Sequence, residues 1–241
     1  MARLLSWKEK YFNIFLFLFL GVLFTAWVFF LKTSFKETYY SKSFLSQYYL
    51  SAVKYYKQHL FASAHKEIRR VLKIEPDYKD AYILLGDIYR ESGLYPEAIR
   101  QYREVVRIDP MDRNAHYKLA LSYLNIGNCI EAARELNILV KKFGLKNIDI
   151  FNNLATCYAI IELDTSALEK YKEVLKLEPR YAAAYYNIGM IYFNHYQDYK
   201  RAIKEWLKAL WFNPNMEEAR VYISNAKIML KEKRHAKRNR E

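Results

Sequence analysis

Five histidines, two cysteines and 26 Asp+Glu are the groups in this 241-residue chain that could ligate a metal, attack a carbonyl or move a proton. His59, His65, His116, His195 and His235 are scattered, and none belongs to an H-E-x-x-H segment that would put two imidazoles on one helix face. Cys129 and Cys157 have no CxxC or zinc spacing and no disulfide is expected between them; Cys157 falls at a packing position, where a thiol acts as a small hydrophobe. There is no Walker loop, no G-x-G-x-x-G and no G-x-S-x-G. Glu97, Glu104 and Glu173 fall on helix surfaces, where pairing along the helix or solvation accounts for them. The expectation is a chain with no catalytic residues, no metal and no cofactor. What remains is recognition chemistry. Asn152, Asn153, Asn187 and Asn194 stand where helix propensity would favour Ala, and each amide offers a donor and an acceptor to the backbone of an extended peptide.

Those amides must be carried by helices, and the prolines show how the helices are arranged. Pro76 and Pro110 are 34 residues apart, Pro110 and Pro179 are 69 apart, and Pro179 and Pro214 are 35 apart. A step of this size marks a solenoid whose units bury their apolar faces only against their neighbours. Alignment on the prolines predicts repeats at 45–78, 79–112, 113–147, 148–181 and 182–216. The second reads Tyr82, Leu85-Gly86, Tyr89, Gly93, Ala98, Tyr102, Pro110. The third reads His116, Leu119-Ala120, Tyr123, Gly127, Ala132 and Leu136, and the fourth Phe151, Leu154-Ala155, Tyr158, Ala167, Tyr171, Pro179. The fifth reads Tyr185, Ile188-Gly189, Tyr192, Ala202, Trp206, Ala209, Pro214, and the first Tyr48, Ala52, Tyr55, Ala64, Pro76.

Physical roles follow from the residue types. Gly or Ala in the first helix of each unit lets the second approach; Ala64, Ala98, Ala132, Ala167 and Ala202 do the same from the other side. Gly93 and Gly127 stand where the first helix must stop in a left-handed residue, and Pro96 opens the second. The third unit has Phe143-Gly144 where proline is expected, so its exit turn should differ; the fifth has an extra residue in Asn194–Tyr199.

This pattern resembles the tetratricopeptide (TPR) repeat, W-x2-L-G-x2-Y, then A-x3-F and P. The resemblance covers the five units and implies an all-α, right-handed superhelical solenoid. Glu217–Leu230 is the expected capping helix, with Ala219, Tyr222, Ile223 and Ala226 on one face. The resemblance also implies that the first helix of each unit lines a concave groove. Transferred to this chain, the groove positions are Tyr49, Val53 and Tyr56; Asp87 and Arg90; Tyr117, Lys118, Leu121, Leu124 and Asn125; Asn152, Asn153 and Thr156; and Tyr186, Asn187, Met190, Phe193 and Asn194. Packing of some of these aromatics on the next unit, or on Thr33–Phe44, is the competing reading. TPR receptors for chaperone tails use a two-carboxylate clamp of Lys, Asn, Asn, Lys and Arg. The three frames here supply Tyr49, Val53, Leu84, Asn114, Lys118; Ile83, Asp87, Lys118, Asp149, Asn153; and Tyr117, Leu121, Asn153, Ala183, Asn187, so none holds the clamp.

Tyr11 to Leu31 contains no charged residue, and at about 1.5 Å per residue the run matches a hydrocarbon core of about 30 Å. It is too long for a cleaved leader, and Trp27-Val-Phe-Phe-Leu31 has bulky residues where cleavage needs small ones. Expected, therefore, are a basic stretch at 1–10, one transmembrane helix at 11–31, a connecting helix or linker at 32–44, the repeats at 45–216, the capping helix at 217–230 and a disordered tail at 231–241. Arg3, Lys8 and Lys10 precede the span and Lys32, Lys36 and Lys42 follow it, a tie on the positive-inside count. The free amino terminus tips the orientation towards N-terminus inside with the repeats outside; repeats in the cytoplasm remain the alternative. The formal net charge is +13, part of it from Lys231, Lys233, Arg234, Lys237, Arg238 and Arg240. Such a tail suits solvent or anionic lipid, and no recognition module argues for nucleic acid.

The expected function is a membrane-anchored scaffold or adaptor that holds a protein or peptide which is not strongly acidic. The alternatives are a non-catalytic accessory subunit of a membrane enzyme or envelope-assembly complex, and an organelle import receptor. The chain should stay in the membrane fraction after high-salt and alkaline washes; a purified protein whose amino terminus begins after Leu31 would overturn the anchor.

Overall fold

The computed structural model describes residues 23, 24, 27 and 44–238, and from residue 44 on those residues form helices and turns with no strand. Residues 44–57 form α1, followed by α2 (Phe61–Ile74), α3 (Lys79–Glu91), α4 (Tyr95–Ile108), α5 (Arg113–Asn125) and α6 (Cys129–Lys141). Then come α7 (Ile148–Ile160), α8 (Asp164–Leu177), α9 (Ala182–Asn194), α10 (Tyr199–Phe212) and α11 (Glu217–Arg238). The chain divides into two compact units, residues 1–81 and 82–241. In the second unit each helix from α4 on packs against the next. The expected span at 11–31 lies outside the described residues except for Leu23, Phe24 and Trp27, which are helical and exposed. No helix among the described residues is long and apolar enough to cross a membrane.

Two turn types generate the pairs, and both are written in the sequence. Between the helices of a unit the chain turns through one left-handed residue: His59 (φ 55°), Gly93 (74°), Gly127 (73°), Glu162 (60°) and Gln197 (49°). At Gly93 the amide donates to the Arg90 carbonyl (3.1 Å) and the next amide, Leu94, donates to Tyr89 (2.8 Å), the double bond of a Schellman ending. The same two bonds recur at Gly127–Asn128 and Glu162–Leu163. In the fifth unit the extra residue lengthens the link, and Asp198 instead reaches Tyr192 (2.8 Å).

Between units, proline sets the stop. Glu75, Asp109, Glu178 and Asn213 each precede a proline, and each is extended, with φ between −132° and −136° and ψ between 88° and 95°. A residue before proline is pushed out of the helical region by the ring's Cδ. The third unit lacks this proline. Lys142 stays helical (φ −86°, ψ −37°), the link to α7 runs through six residues, and Gly144 turns left-handed (φ 66°). The aromatic position of the next unit then ties down the exit: Tyr185 Oη donates to the Pro179 carbonyl (3.1 Å), and His116 Nε2 lies 3.3 Å from that of Pro110. Asp112, Asn128, Asn147 and Asp198 cap α5, α6, α7 and α10 by accepting an amide of the first turn.

Inside each unit a small residue on the first helix faces a large one on the second. The pairs are Ala52 and Ile68, Gly86 and Tyr102, Ala120 and Leu136, Ala155 and Tyr171, and Gly189 and Trp206; all are buried. A Cβ added at Gly86 would stand 2.5 Å from Tyr102 Cε1, and one at Gly189 would stand 2.6 Å from Trp206 Cδ1. The glycines are therefore required by ring contact, since neither has a left-handed backbone. Among the buried polar residues is His116, whose Nδ1 lies 2.6 Å from the Glu135 carboxylate, with Phe143 beside its ring.

One expected segment differs. The capping helix does not end at residue 230; α11 continues through Arg238, so residues 231–238 prolong a helix where a disordered tail was expected. Its alternation of Lys and Arg with Glu232 contains no proline or glycine to stop it.

Gly86→Leu should cost about 1–3 kcal/mol by overpacking against Tyr102. Gly86→Ala combined with Tyr102→Leu recreates the Ala120–Leu136 pair, so the double variant should lose less stability than the two single changes added together. Urea unfolding of the full chain in detergent checks this; strictly additive losses would show that the two side chains do not oppose each other.

Candidate binding groove

The first helices of the second unit carry most of the expected groove residues, but the structure commits several of them internally. On α3, Asp87 Oδ1 accepts from Tyr102 Oη (2.7 Å) and from Lys118 Nζ of α5, with Arg90 Nε 4.0 Å away. The Lys118 ammonium also lies over the Tyr102 ring, 5.9 Å from its centre. Burial, then the Asp87 carboxylate, push the Tyr102 hydroxyl well above its ordinary range, so it stays a donor. Lys118 is thus a tether between α3 and α5. Asn125 is exposed, but its amide donates to its own helix at Leu121 O (2.8 Å). Tyr117 packs against the core of α4–α7, and burial raises its hydroxyl.

On α7 and α9 the arrangement is more open. Thr156, Ala159, Tyr171, Tyr186, Asn187, Met190 and Asn194 line a cavity of about 360 Å³, with Ile160, Glu162, Ile191 and His195 completing its wall. Five of the eighteen expected groove positions meet here: Thr156, Tyr186, Asn187, Met190 and Asn194. Tyr171 Oη stands 3.0 Å from Thr156 Oγ1, which fixes both on the cavity wall. Asn153 is half-buried on α7 outside this wall, and so is Asn152, whose Oδ1 is shielded from solvent without a hydrogen-bond partner among the described residues. At one edge His195 Nδ1 pairs with Asp164 Oδ1 of α8. Tyr186 also packs edge-on against Tyr222 of α11 at 6.1 Å, and Phe193 lies between Trp206 and Tyr222, so Phe193 serves the core.

Tyr49 and Tyr56 belong to the first unit. Tyr49 packs on Tyr78 (5.3 Å between ring centres) and Tyr56 on Phe61 (6.2 Å), both within their own repeat. The sequence reading missed the cavity wall formed by Ala159, Ile160, Glu162 and His195, because these lie at the helix ends. It also missed that Tyr102 and Tyr171 reach back to the first helix. The signal was available: both tyrosines stand sixteen residues after a small residue and fifteen after a polar one. Among the described residues no cluster of His, Cys, Asp and Glu has the grouping needed to hold a metal ion.

A family model described as TPR repeat matches residues 86–127 and 164–195. Tetratricopeptide repeat protein 6 of Homo sapiens is 40% identical over 52 residues, a match spanning 22% of this chain and only 10% of that protein's length. Among solved structures, MamA is 23% identical, covering 73% of this chain and 96% of its own, with a TM-score of 0.63. MamA 41-end from Desulfovibrio magneticus RS-1 is 16% identical over 72% of this chain and 97% of its own (TM-score 0.63). YrrB, described as a TPR protein with an unusual peptide-binding site, is 20% identical over 71% of this chain and 88% of its own (TM-score 0.66). The described residues form an all-helical, TPR-like fold, and the segments 86–127 and 164–195 match TPR repeats.

Two buried groups make stability depend on alkaline pH. Burial, then the neighbouring Cys129, push the Cys157 thiol from 9.0 up to about 12, and burial pushes the Tyr171 hydroxyl from 10.0 up to about 12. Both pKa values are raised in the folded chain, so the unfolded chain releases these protons first. The contribution is complete below the unfolded values and is lost as pH rises through the folded ones. The urea midpoint should fall between about pH 9 and about pH 12, and Cys157→Ala should flatten part of that fall. A midpoint independent of pH over that range would contradict the assignment.

Proposed function

We propose that this protein is a membrane-anchored TPR scaffold that holds an extended segment of a partner protein in the cavity between α7 and α9. One observation carries the reading. Thr156, Tyr186, Asn187, Met190 and Asn194 converge on one cavity of about 360 Å³, a size suited to a few residues of a peptide. Asn194 is exposed at its edge and brings a donor and an acceptor for a peptide backbone, while Tyr186 and Met190 contribute apolar area. Lys118 and Arg90, the cations among the expected groove positions, both lie against Asp87, which supports a partner that is not strongly acidic. The peptide-binding site named for YrrB supports peptide binding on a similar fold. The uncharged Tyr11–Leu31 run supports anchoring, with the amino terminus inside and the repeats on the far side of the bilayer.

The change Asn194→Ala removes an exposed part of the cavity wall without removing buried core. It should leave thermal unfolding unchanged and weaken partner capture from detergent-solubilised membranes several-fold, each lost hydrogen bond costing about 1 kcal/mol. Capture should depend only mildly on salt, because the contacts are amide and apolar. Recovery of every wild-type partner at equal yield would sink the groove reading.

A further inference from the structure

The second helices of the repeats present a surface that the groove does not use. In the second unit the residues one and five places after Tyr102, Leu136, Tyr171 and Trp206 occupy equivalent outward positions. The first position holds Arg103, Asn137, Lys172 and then Leu207; the second holds Arg107, Lys141, Lys176 and then Trp211. Five of the six positions in the first three of these repeats are thus cationic, the exception being Asn137, which is half-buried and bonded to Tyr158, and the last repeat replaces both with large apolar side chains. Trp211 is 81% exposed and Leu207 is 55% exposed. On the same stripe of α10, one and two turns towards its start, Lys204 and Lys200 are also exposed. Arg107 and Lys176 have carboxylate partners three residues back, at 2.7 Å each, so the positive charge of the face rests chiefly on Arg103, Lys141, Lys172, Lys200 and Lys204.

Repeat packing does not call for an indole here, because Trp206 already fills the core position of this helix. The combination has a specific chemistry: an amphipathic ring and a leucine beside lysines, on a face that is otherwise cationic. We propose that this face, centred on Trp211 and Leu207, docks on the surface of an anionic lipid bilayer. The indole and leucine enter the headgroup region, while Lys200 and Lys204 attract the acidic headgroups. Charge complementarity selects this occupant. A second copy would bring the same lysines against themselves, and a nucleic acid would use the cations but not the leucine. Each cation close to an anionic surface is worth about five-fold in partitioning. The inference is independent of what the groove holds; anchoring at 11–31 would only raise the local concentration of the face.

The test uses the full chain in vesicles containing brominated lipid, and the difference between wild type and Trp211→Phe isolates the Trp211 fluorescence from Trp7, Trp27 and Trp206. With about 30% phosphatidylglycerol that difference signal should be blue-shifted and quenched, and in pure phosphatidylcholine the quenching should drop about five-fold or more. Lys200→Gln with Lys204→Gln should reproduce the drop in the anionic vesicles, with circular dichroism unchanged. A Trp211 signal left unquenched by anionic vesicles overturns the proposal. So does quenching that is equal in both lipids and indifferent to the lysine changes. A response to duplex oligonucleotide alone would reassign the face to nucleic acid, and a cross-linked dimer abolished by Trp211→Phe would reassign it to a second copy. Alkaline extraction of the same vesicles reports the anchor separately.

Discussion

The contact between a Cβ-poor residue on the first helix and a large side chain on the second, sixteen or seventeen residues later, sets the spacing of every pair. Where the large residue is Tyr102 or Trp206, only glycine fits opposite, because an added Cβ would meet the ring within ordinary contact distance. Where it is Leu136, alanine suffices. Close approach buries the rest of the apolar surface: Ala98 and Val105 in one pair, Ala167 and Val174 in another, all at zero exposure. Since a unit has no core apart from this seam and the seams to its neighbours, its stability is local and additive along the chain.

The links can vary because the seam does not. Four of the five exits use a proline and an extended residue before it, while the third uses six residues and Gly144. The neighbouring helices still pack, since α6 and α7 share the core built on Leu136, Leu139, Ile150 and Leu154. His116 illustrates the same tolerance. It replaces the Tyr or Phe of the other units, keeps the contact to the preceding proline carbonyl and satisfies its second nitrogen with Glu135.

Much of this was legible in the residues. Proline spacing marks the units, Gly93 and Gly127 mark the left-handed turns, and the Ala and Gly positions mark the seams. His59, Glu162 and Gln197 adopt the same left-handed turn with no glycine to announce it, because the bonds at the helix end outweigh the steric cost of a Cβ. The length of α11 was not legible from its apolar face, which ends near residue 230. Its last turns are polar and no breaker stops them. For the groove, chain position showed which residues share the inner faces but not which are already occupied. Asp87, Lys118 and Asn125 look alike in a sequence, as free polar groups. Their commitment depends on partners fifteen or thirty-one residues away, or on the helix's own carbonyls.

The seam also shapes the groove. Tyr102 and Tyr171 are long enough to pass the small residue and bond the next side chain, Asp87 and Thr156, on the inner face. Leu136 has no polar end, and the Trp206 nitrogen turns instead to the Tyr186 carbonyl at 3.1 Å. The corresponding inner positions, Leu121 and Met190, are accordingly apolar and half-buried. The choice of large residue in the core therefore decides, unit by unit, whether the groove position opposite is tied or available. Met190 and the Asn187 and Asn194 amides line one cavity together. That is why the cavity between α7 and α9 combines apolar area with hydrogen-bonding groups, whereas the inner face at α3 and α5 is closed by its own charges.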